Sequence, residues 1–147
     1  MVNKYIKATI ISLCCIITAE VSASSSSAIV PYSTNNDFYR ILHGLSPCRK
    51  VLEGRHFLAF EDKYPRAPVH ILIIPKGNYV DVGDYLIRAK NEEKLEFLDG
   101  IKRIIGMKNL SKRGFKLLTN AGNFRWIGGY PHPQTVMHMH VHIVGAG

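Results

Sequence analysis

Between Val136 and Val144 the chain alternates histidine with apolar residues, as His138-Met139-His140-Val141-His142-Ile143-Val144. Successive side chains of a strand point to opposite faces. A strand over 136–144 therefore carries His138, His140 and His142 on one face, with Met137, Met139, Val141 and Ile143 on the other. The apolar row belongs in a core. Three imidazoles in a row on the opposite face have no packing rationale, so that face is read as a chemical site.

Two chemistries suit it. Alternate histidines can converge on zinc through their ring nitrogens. Alternatively, a neutral imidazole can attack phosphorus and form a phosphoramidate intermediate, while neighbouring imidazoles and backbone N–H groups hold the phosphate oxygens. Spacing alone does not choose between them. Zinc calls for a fourth ligand or a partnering carboxylate, and the segment holds neither.

The rest of the chain supplies a small α+β frame. Asp37 to Leu42 reads as a short helix, capped by Asp37, with Phe38, Ile41 and Leu42 on one face. Ser46-Pro47 ends it. Lys50–Glu53 and His56–Glu61 flank Gly54 as a hairpin. His70 to Ile74 reads as a buried strand closed by Pro75. A long helix follows, with Asn91 as cap and Glu92 and Glu93 at its positive end. Phe97, Leu98, Ile101, Ile104 and Ile105 form its apolar stripe. Phe115 to Thr119 reads as another strand. Residues 120–133 form a Gly-rich loop holding Arg125, Trp126 and His132. Strands and helices in this order predict α+β with a mainly antiparallel sheet.

The N-terminal stretch stands apart. Lys4 and Lys7 precede an apolar run from Ala8 to Ala19, and Val21-Ser22-Ala23 offers small residues for signal peptidase. Residues 1–23 read as a secretory signal peptide, too short for a comfortable membrane span, with a membrane anchor as the lesser alternative. Residues 24–36, rich in Ser, read as a flexible tether to a domain over 37–147. The expected location is secreted or periplasmic. The whole chain carries a formal charge of +8, and removal of Lys4, Lys7 and Glu20 with the leader leaves +7. Excess cation favours polyanions, nucleotides among them. Cys48 is the one cysteine left beyond the leader, so neither an internal disulfide nor a Cys-x-x-Cys zinc site is expected.

The motif His138-Met139-His140-Val141-His142-Ile143-Val144 resembles that of the histidine-triad (HIT) family. The resemblance extends through Gln134-Thr135-Val136-Met137, through Phe60-Glu61-Asp62 and Pro68 to Lys76, and through Leu117 to Gly122. It covers about 37–147 and is closest to the small histidine-triad nucleotide-binding branch. The resemblance implies a five-stranded, mainly antiparallel sheet with a long helix and a short N-terminal helix.

It also implies an enzyme that cleaves at the α-phosphate of a purine nucleoside phosphoramidate or related conjugate. In that reading His140 is the nucleophile, and His142 binds the α-phosphate and helps protonate the leaving group. His138 orients the pocket and His70 packs beside the triad. Asp62 binds the ribose hydroxyls, as a carboxylate can by accepting two hydrogen bonds. Asn120, Gln134 and Thr135 serve the phosphate or leaving group, and Phe38, Ile41 and Leu72 form a slot for the base. No metal, cofactor or nucleic acid is implied, and the expected assembly is a homodimer. The alternatives are a non-catalytic nucleotide-binding or scaffolding module and a zinc-binding secreted protein. Two departures bear on substrate choice. Pro133 replaces a common glycine and removes an N–H, and the loop over 120–133 is longer than usual.

Overall fold

The computed structural model describes residues 31–122 and 135–147. The expected leader, residues 24–30 of the expected tether, residues 123–133 of the Gly-rich loop and Gln134 lie outside the described residues. No helix among the described residues is long and apolar enough to cross a membrane.

Helix α1 spans Asp37–Leu42, and strands β1 (Lys50–Glu53) and β2 (Phe57–Glu61) follow as the expected hairpin. Strand β3 spans Val69–Pro75. Helices α2 (Val82–Arg88), α3 (Asn91–Met107) and α4 (Leu110–Arg113) come next, then β4 (Phe115–Leu118) and β5 (Val141–Gly145). The strands form one antiparallel sheet in the order β1-β2-β3-β5-β4. The last strand thus enters between two earlier ones and lies near the middle of the sheet, where hydrogen bonds hold it on both sides.

Register sorts the side chains onto two faces. Ala59, Ile73 and Val141 are directly opposed across three strands, and so are Phe60, Leu72 and His142. Opposed residues share a face. On the first face, Phe57, Ile71, Ile73, Val141 and Ile143 pack with Phe97, Ile101 and Ile104 of α3 and Leu110 of α4. On the second, Leu58, Phe60, Leu72 and Ile74 meet Phe38 of α1, with Ile41, Leu42, Cys48 and Val136 at its margin.

Several local expectations need correction. The cap of α1 is Asn36, whose Oδ1 accepts from the Tyr39 N–H, and Asp37 instead sits in the first turn. Lys90 occupies the N-cap of α3 without a side-chain bond, so Asn91 is the first helical residue and not the cap. Leu98 is 61% exposed and Ile105 is only partly buried. Gly100 takes the place in the interface that the stripe assigned to Leu98. A Cβ on Gly100 would lie 2.7 Å from Cζ of Phe57, so the missing side chain lets the helix rest directly on that ring. Helices α2 and α4 were not expected, because each is short and its apolar residues show no sustained period. Gly114 joins α4 to β4 at φ 84°, a left-handed backbone that favours glycine.

The expected strand over 136–144 is also shorter than its alternation suggests. Only Val141–Gly145 joins the ladder. Residues 141–145 pair with Val69 to Ile73, and β3 then ends at Pro75, which has no N–H to offer. Upstream of that point the backbone finds other partners. Met139 N donates to Tyr79 O at 2.7 Å, and His138 N donates to Val136 O at 2.8 Å.

Candidate functional site

The second face of the sheet carries the imidazoles. Although His138 and His140 precede the ladder, the alternation still separates the side chains. Met139, Val141 and Ile143 are buried in the core under α3, whereas Met137 is only half-buried and not part of that core. His138 and His140 both meet the Phe38 ring edge-on, at centroid distances of 6.1 and 5.2 Å. The His140 and His142 rings lie 5.0 Å apart at 74°. The three histidines therefore line one surface, as their spacing predicts.

His70 joins them through register. It opposes Val144 in the ladder, two residues from His142, so the two imidazoles are diagonal neighbours. His70 Nε2 lies 2.9 Å from His142 Nδ1 and 3.3 Å from Oδ2 of Asp62. Asp62 follows the end of β2, and its backbone N–H bonds to His70 O at 2.9 Å. Its Oδ1 accepts from the Tyr64 N–H at 2.8 Å, where the chain turns into the loop between β2 and β3 that holds Pro65 and Pro68.

Hydrogen bonds assign every tautomer in this group. The Arg66 N–H donates to His70 Nδ1, so His70 keeps its proton on Nε2 and directs it towards His142 Nδ1 and Asp62. His142 then accepts at Nδ1 and carries its own proton on Nε2. His138 donates from Nε2 to Pro75 O at 2.9 Å, leaving Nδ1 as acceptor. His140 differs. Its Nδ1 donates to His138 O at 2.7 Å, so its lone pair sits on Nε2. Among the described residues no hydrogen bond engages that nitrogen.

Burial favours the neutral form of the three triad rings. Desolvation pushes both His138 and His142 down to about 4, and the neighbouring imidazoles add to the effect. Burial likewise lowers His140, against the pull of the His138 carbonyl and the Asp62 carboxylate. A neutral imidazole with a free Nε2 lone pair is the reactive form of a histidine nucleophile.

The strand expected over Phe115–Thr119 ends at Leu118, and Thr119, just beyond it, donates its Oγ1–H to His140 O at 2.8 Å. No sequence signal marked this contact, because it joins residues 21 positions apart. Phe38 and Leu72 are buried and Ile41 is partly buried, all in one cluster on the histidine face. Asn120 is half-buried and Thr135 is exposed. Neither has a hydrogen bond to the triad among the described residues. Gln134 lies outside them.

The same geometry gathers a donor set for a metal ion. One ligand atom from each of Asp62, His70 and His142 lies within 4.8 Å of the others. The carboxylate missing from the triad segment is thus supplied by the residue that follows β2. His140 is not part of this set.

Comparison with known proteins identifies the lineage of this site. A family model described as "Scavenger mRNA decapping enzyme C-term binding" matches residues 35–147. A 13.2 kDa HIT-like protein of Azospirillum brasilense is 40% identical over 112 residues, covering 76% of this chain and 86% of the relative. Among solved structures, a HIT family hydrolase from Legionella pneumophila superposes with a TM-score of 0.62 at 33% identity, covering 77% of this chain and 94% of that one. A hypothetical histidine triad nucleotide-binding protein from Sulfolobus tokodaii gives a TM-score of 0.59 at 31% identity, covering 74% and 67%.

Proposed function

Because the chain belongs to the histidine-triad family, we propose that it is a nucleotide hydrolase or transferase whose nucleophile is Nε2 of His140. The substrate class is a purine nucleoside phosphoramidate or a related nucleotide conjugate. One observation carries this reading. Of the four clustered imidazoles, only His140 has Nδ1 tied down as a donor and Nε2 left as a lone pair.

The reaction runs in two steps. The Nε2 lone pair bonds to the α-phosphorus as the bond to the leaving group breaks. The His138 carbonyl, already hydrogen-bonded to Nδ1–H, stabilises the positive charge that develops on the ring. His142 presents Nε2–H as a donor to a phosphate oxygen or to the departing group. Water then attacks phosphorus, its released proton restores the one His142 Nε2 gave to the departing group, the N–P bond breaks, and His140 returns to its neutral form as the nucleotide leaves. Asp62 accepts from the ribose hydroxyls. Phe38, Ile41 and Leu72 flank the base, and Asn120, Gln134 and Thr135 serve the phosphate side.

The test is turnover of adenosine phosphoramidate to AMP by the purified protein. Release of AMP at a rate proportional to enzyme supports the reading. Binding of AMP without turnover would instead make the chain a non-catalytic nucleotide-binding module. The donor set of Asp62, His70 and His142 favours one rival, a zinc protein. Stoichiometric zinc whose removal by EDTA abolishes activity would establish that rival. Activity unchanged by EDTA dismisses it.

Two further proposals concern the whole protein. The edge strand β4 exposes Phe115, Leu117 and Leu118, and α3 exposes Leu95, Leu98 and Met107. An open edge with apolar side chains is a liability that pairing removes, so we assign a homodimer. Sedimentation as a monomer at micromolar concentration would refute it. The N-terminal 23 residues act as a secretory leader, which N-terminal sequencing of the native protein tests. A mature start near Ser24 is expected, and an intact Met1 on cytoplasmic material contradicts it.

A further inference from the structure

His138 is wholly buried, and both of its ring nitrogens are engaged. Nε2–H donates to Pro75 O, which leaves Nδ1 as an acceptor in a place sealed from water. Its partner is Tyr32, whose Oη lies 2.5 Å from Nδ1. The two rings meet edge-on, 5.5 Å apart at 69°. Tyr32 lies ahead of the segment that the family model matches, which begins at residue 35.

The direction of the bond is fixed from the other side. Asn36 Nδ2 donates to Tyr32 Oη at 3.2 Å and to Ser33 O at 2.6 Å. A phenol oxygen that accepts from an amide keeps its own proton for His138. Burial also holds the Tyr32 phenol in its protonated form. Asn36 is at the same time the cap of α1, which carries Phe38 against His138 and His140. Residues 32–38 thus connect by an unbroken chain of contacts to the ring whose Nε2 must be free for attack: Asn36 to Tyr32, Tyr32 to His138, and the His138 carbonyl to His140 Nδ1.

We propose that Tyr32 is a positioning residue for His140. By occupying Nδ1 of His138 it locks that ring as the Nε2–H tautomer bonded to Pro75. The carbonyl of the same residue is then held where it accepts the hydrogen bond from His140 Nδ1–H. Tyr32 touches neither the substrate nor the reacting atoms, and it acts only through His138. The proposal deepens the hydrolase reading and rests on it for its kinetic consequence, though its structural consequence can be read independently.

The test pairs Tyr32→Phe with Asn36→Asp in the full chain. Phe keeps the ring and removes only the hydroxyl. Asp keeps the cap oxygen of α1 but turns the donor facing Tyr32 into an acceptor, which competes with His138 for the phenolic proton. Nitrogen-15 NMR of the histidine rings reads the bond directly. In both variants the His138 Nδ1 resonance should move towards that of an unbonded ring nitrogen, with a smaller shift at His140 Nδ1. On adenosine phosphoramidate, kcat should fall about tenfold in Tyr32→Phe, as loss of one hydrogen bond translates into rate. KM should stay within about twofold, since no substrate contact is removed.

Unchanged His138 and His140 resonances in a folded Tyr32→Phe protein would overturn the proposal, and so would an unchanged kcat in a variant whose resonances do move. If the wild-type protein fails to turn over the phosphoramidate, the hydrolase reading falls by itself, and the His140 resonance alone then decides whether Tyr32 positions that ring.

Discussion

The two faces of the segment over 138–143 are built on opposite principles. On one, Met139, Val141 and Ile143 pack under α3 and need only fit in shape. On the other, His138 and His140 are as deeply buried as those apolar neighbours, yet each must find hydrogen-bond partners. A buried polar group left unpaired costs about 1–3 kcal/mol. The histidine face meets that demand from scattered places: Pro75 of β3, Tyr32 ahead of α1, and the backbone of the segment itself. The apolar face is local in its logic and tolerant in its chemistry. The polar face is long-range in its connections and admits one arrangement of protons.

That contrast predicts where each kind of damage appears. The largest effect belongs to His140→Ala. Turnover should drop by at least about a hundredfold, because covalent catalysis has no substitute for its nucleophile. Nucleotide affinity, measured by calorimetry, should change little. A variant that retains more than about a hundredth of wild-type activity breaks the distinction between a reactive face and a packing face.

Ile143→Ala probes the apolar side of the same strand. Ile143 is fully buried beneath α3. The truncation should cost about 2–5 kcal/mol of stability through lost transfer energy and a residual cavity. Chemical denaturation measures it, with kcat in the surviving folded protein changed far less than in His140→Ala. A loss below about 1 kcal/mol would mean that this face is not the close-packed core described.

The third effect is set by pH and acts on the polar face alone. Burial pushes His138 and His142 down to about 4, well below the ordinary value of 6.5. The unfolded chain therefore binds protons on these rings at a pH where the native chain still refuses them. Their contribution to stability is intact above about pH 6.5 and is lost progressively as pH falls towards 4. The slope is at most about 1.4 kcal/mol per unit for each ring, and less for the more accessible His142. Urea midpoints measured from pH 7 to pH 4 should fall across that window. His142→Asn should flatten part of the slope, and a wild-type profile with no slope would contradict the assignment of neutral rings.

The same contrast explains what the sequence made legible. Alternation of His138, His140 and His142 with apolar residues revealed both faces, because a period of two is a local property of one strand. The hairpin around Gly54 and the strand ending at Pro75 were equally local. The HIT family itself was readable from motifs over 37–147, and the comparisons agree. Contacts across the fold were not readable. Nothing near Thr119 signals that its hydroxyl meets the His140 carbonyl, and nothing in a Ser-rich segment signals that Tyr32 reaches His138 across 106 positions.

The shortened ladder had a similar cause. Alternation continues upstream of Val141, but pairing depends on a partner strand that stops at a proline. Leu98 misled for a different reason. A helical stripe drawn from hydrophobicity alone overlooks a glycine that packs by having no side chain, as Gly100 does against Phe57.

The central claim is that His140 forms the covalent bond to phosphorus. Its most direct test is to quench the steady-state reaction with adenosine phosphoramidate under denaturing, alkaline conditions, where a phosphorus–nitrogen bond survives, and to map the modified peptide by mass spectrometry. The account predicts an adenylyl group on His140, absent from the His140→Ala protein. An adduct on His138 or His142, or AMP release by the His140→Ala protein at the wild-type rate, would contradict it.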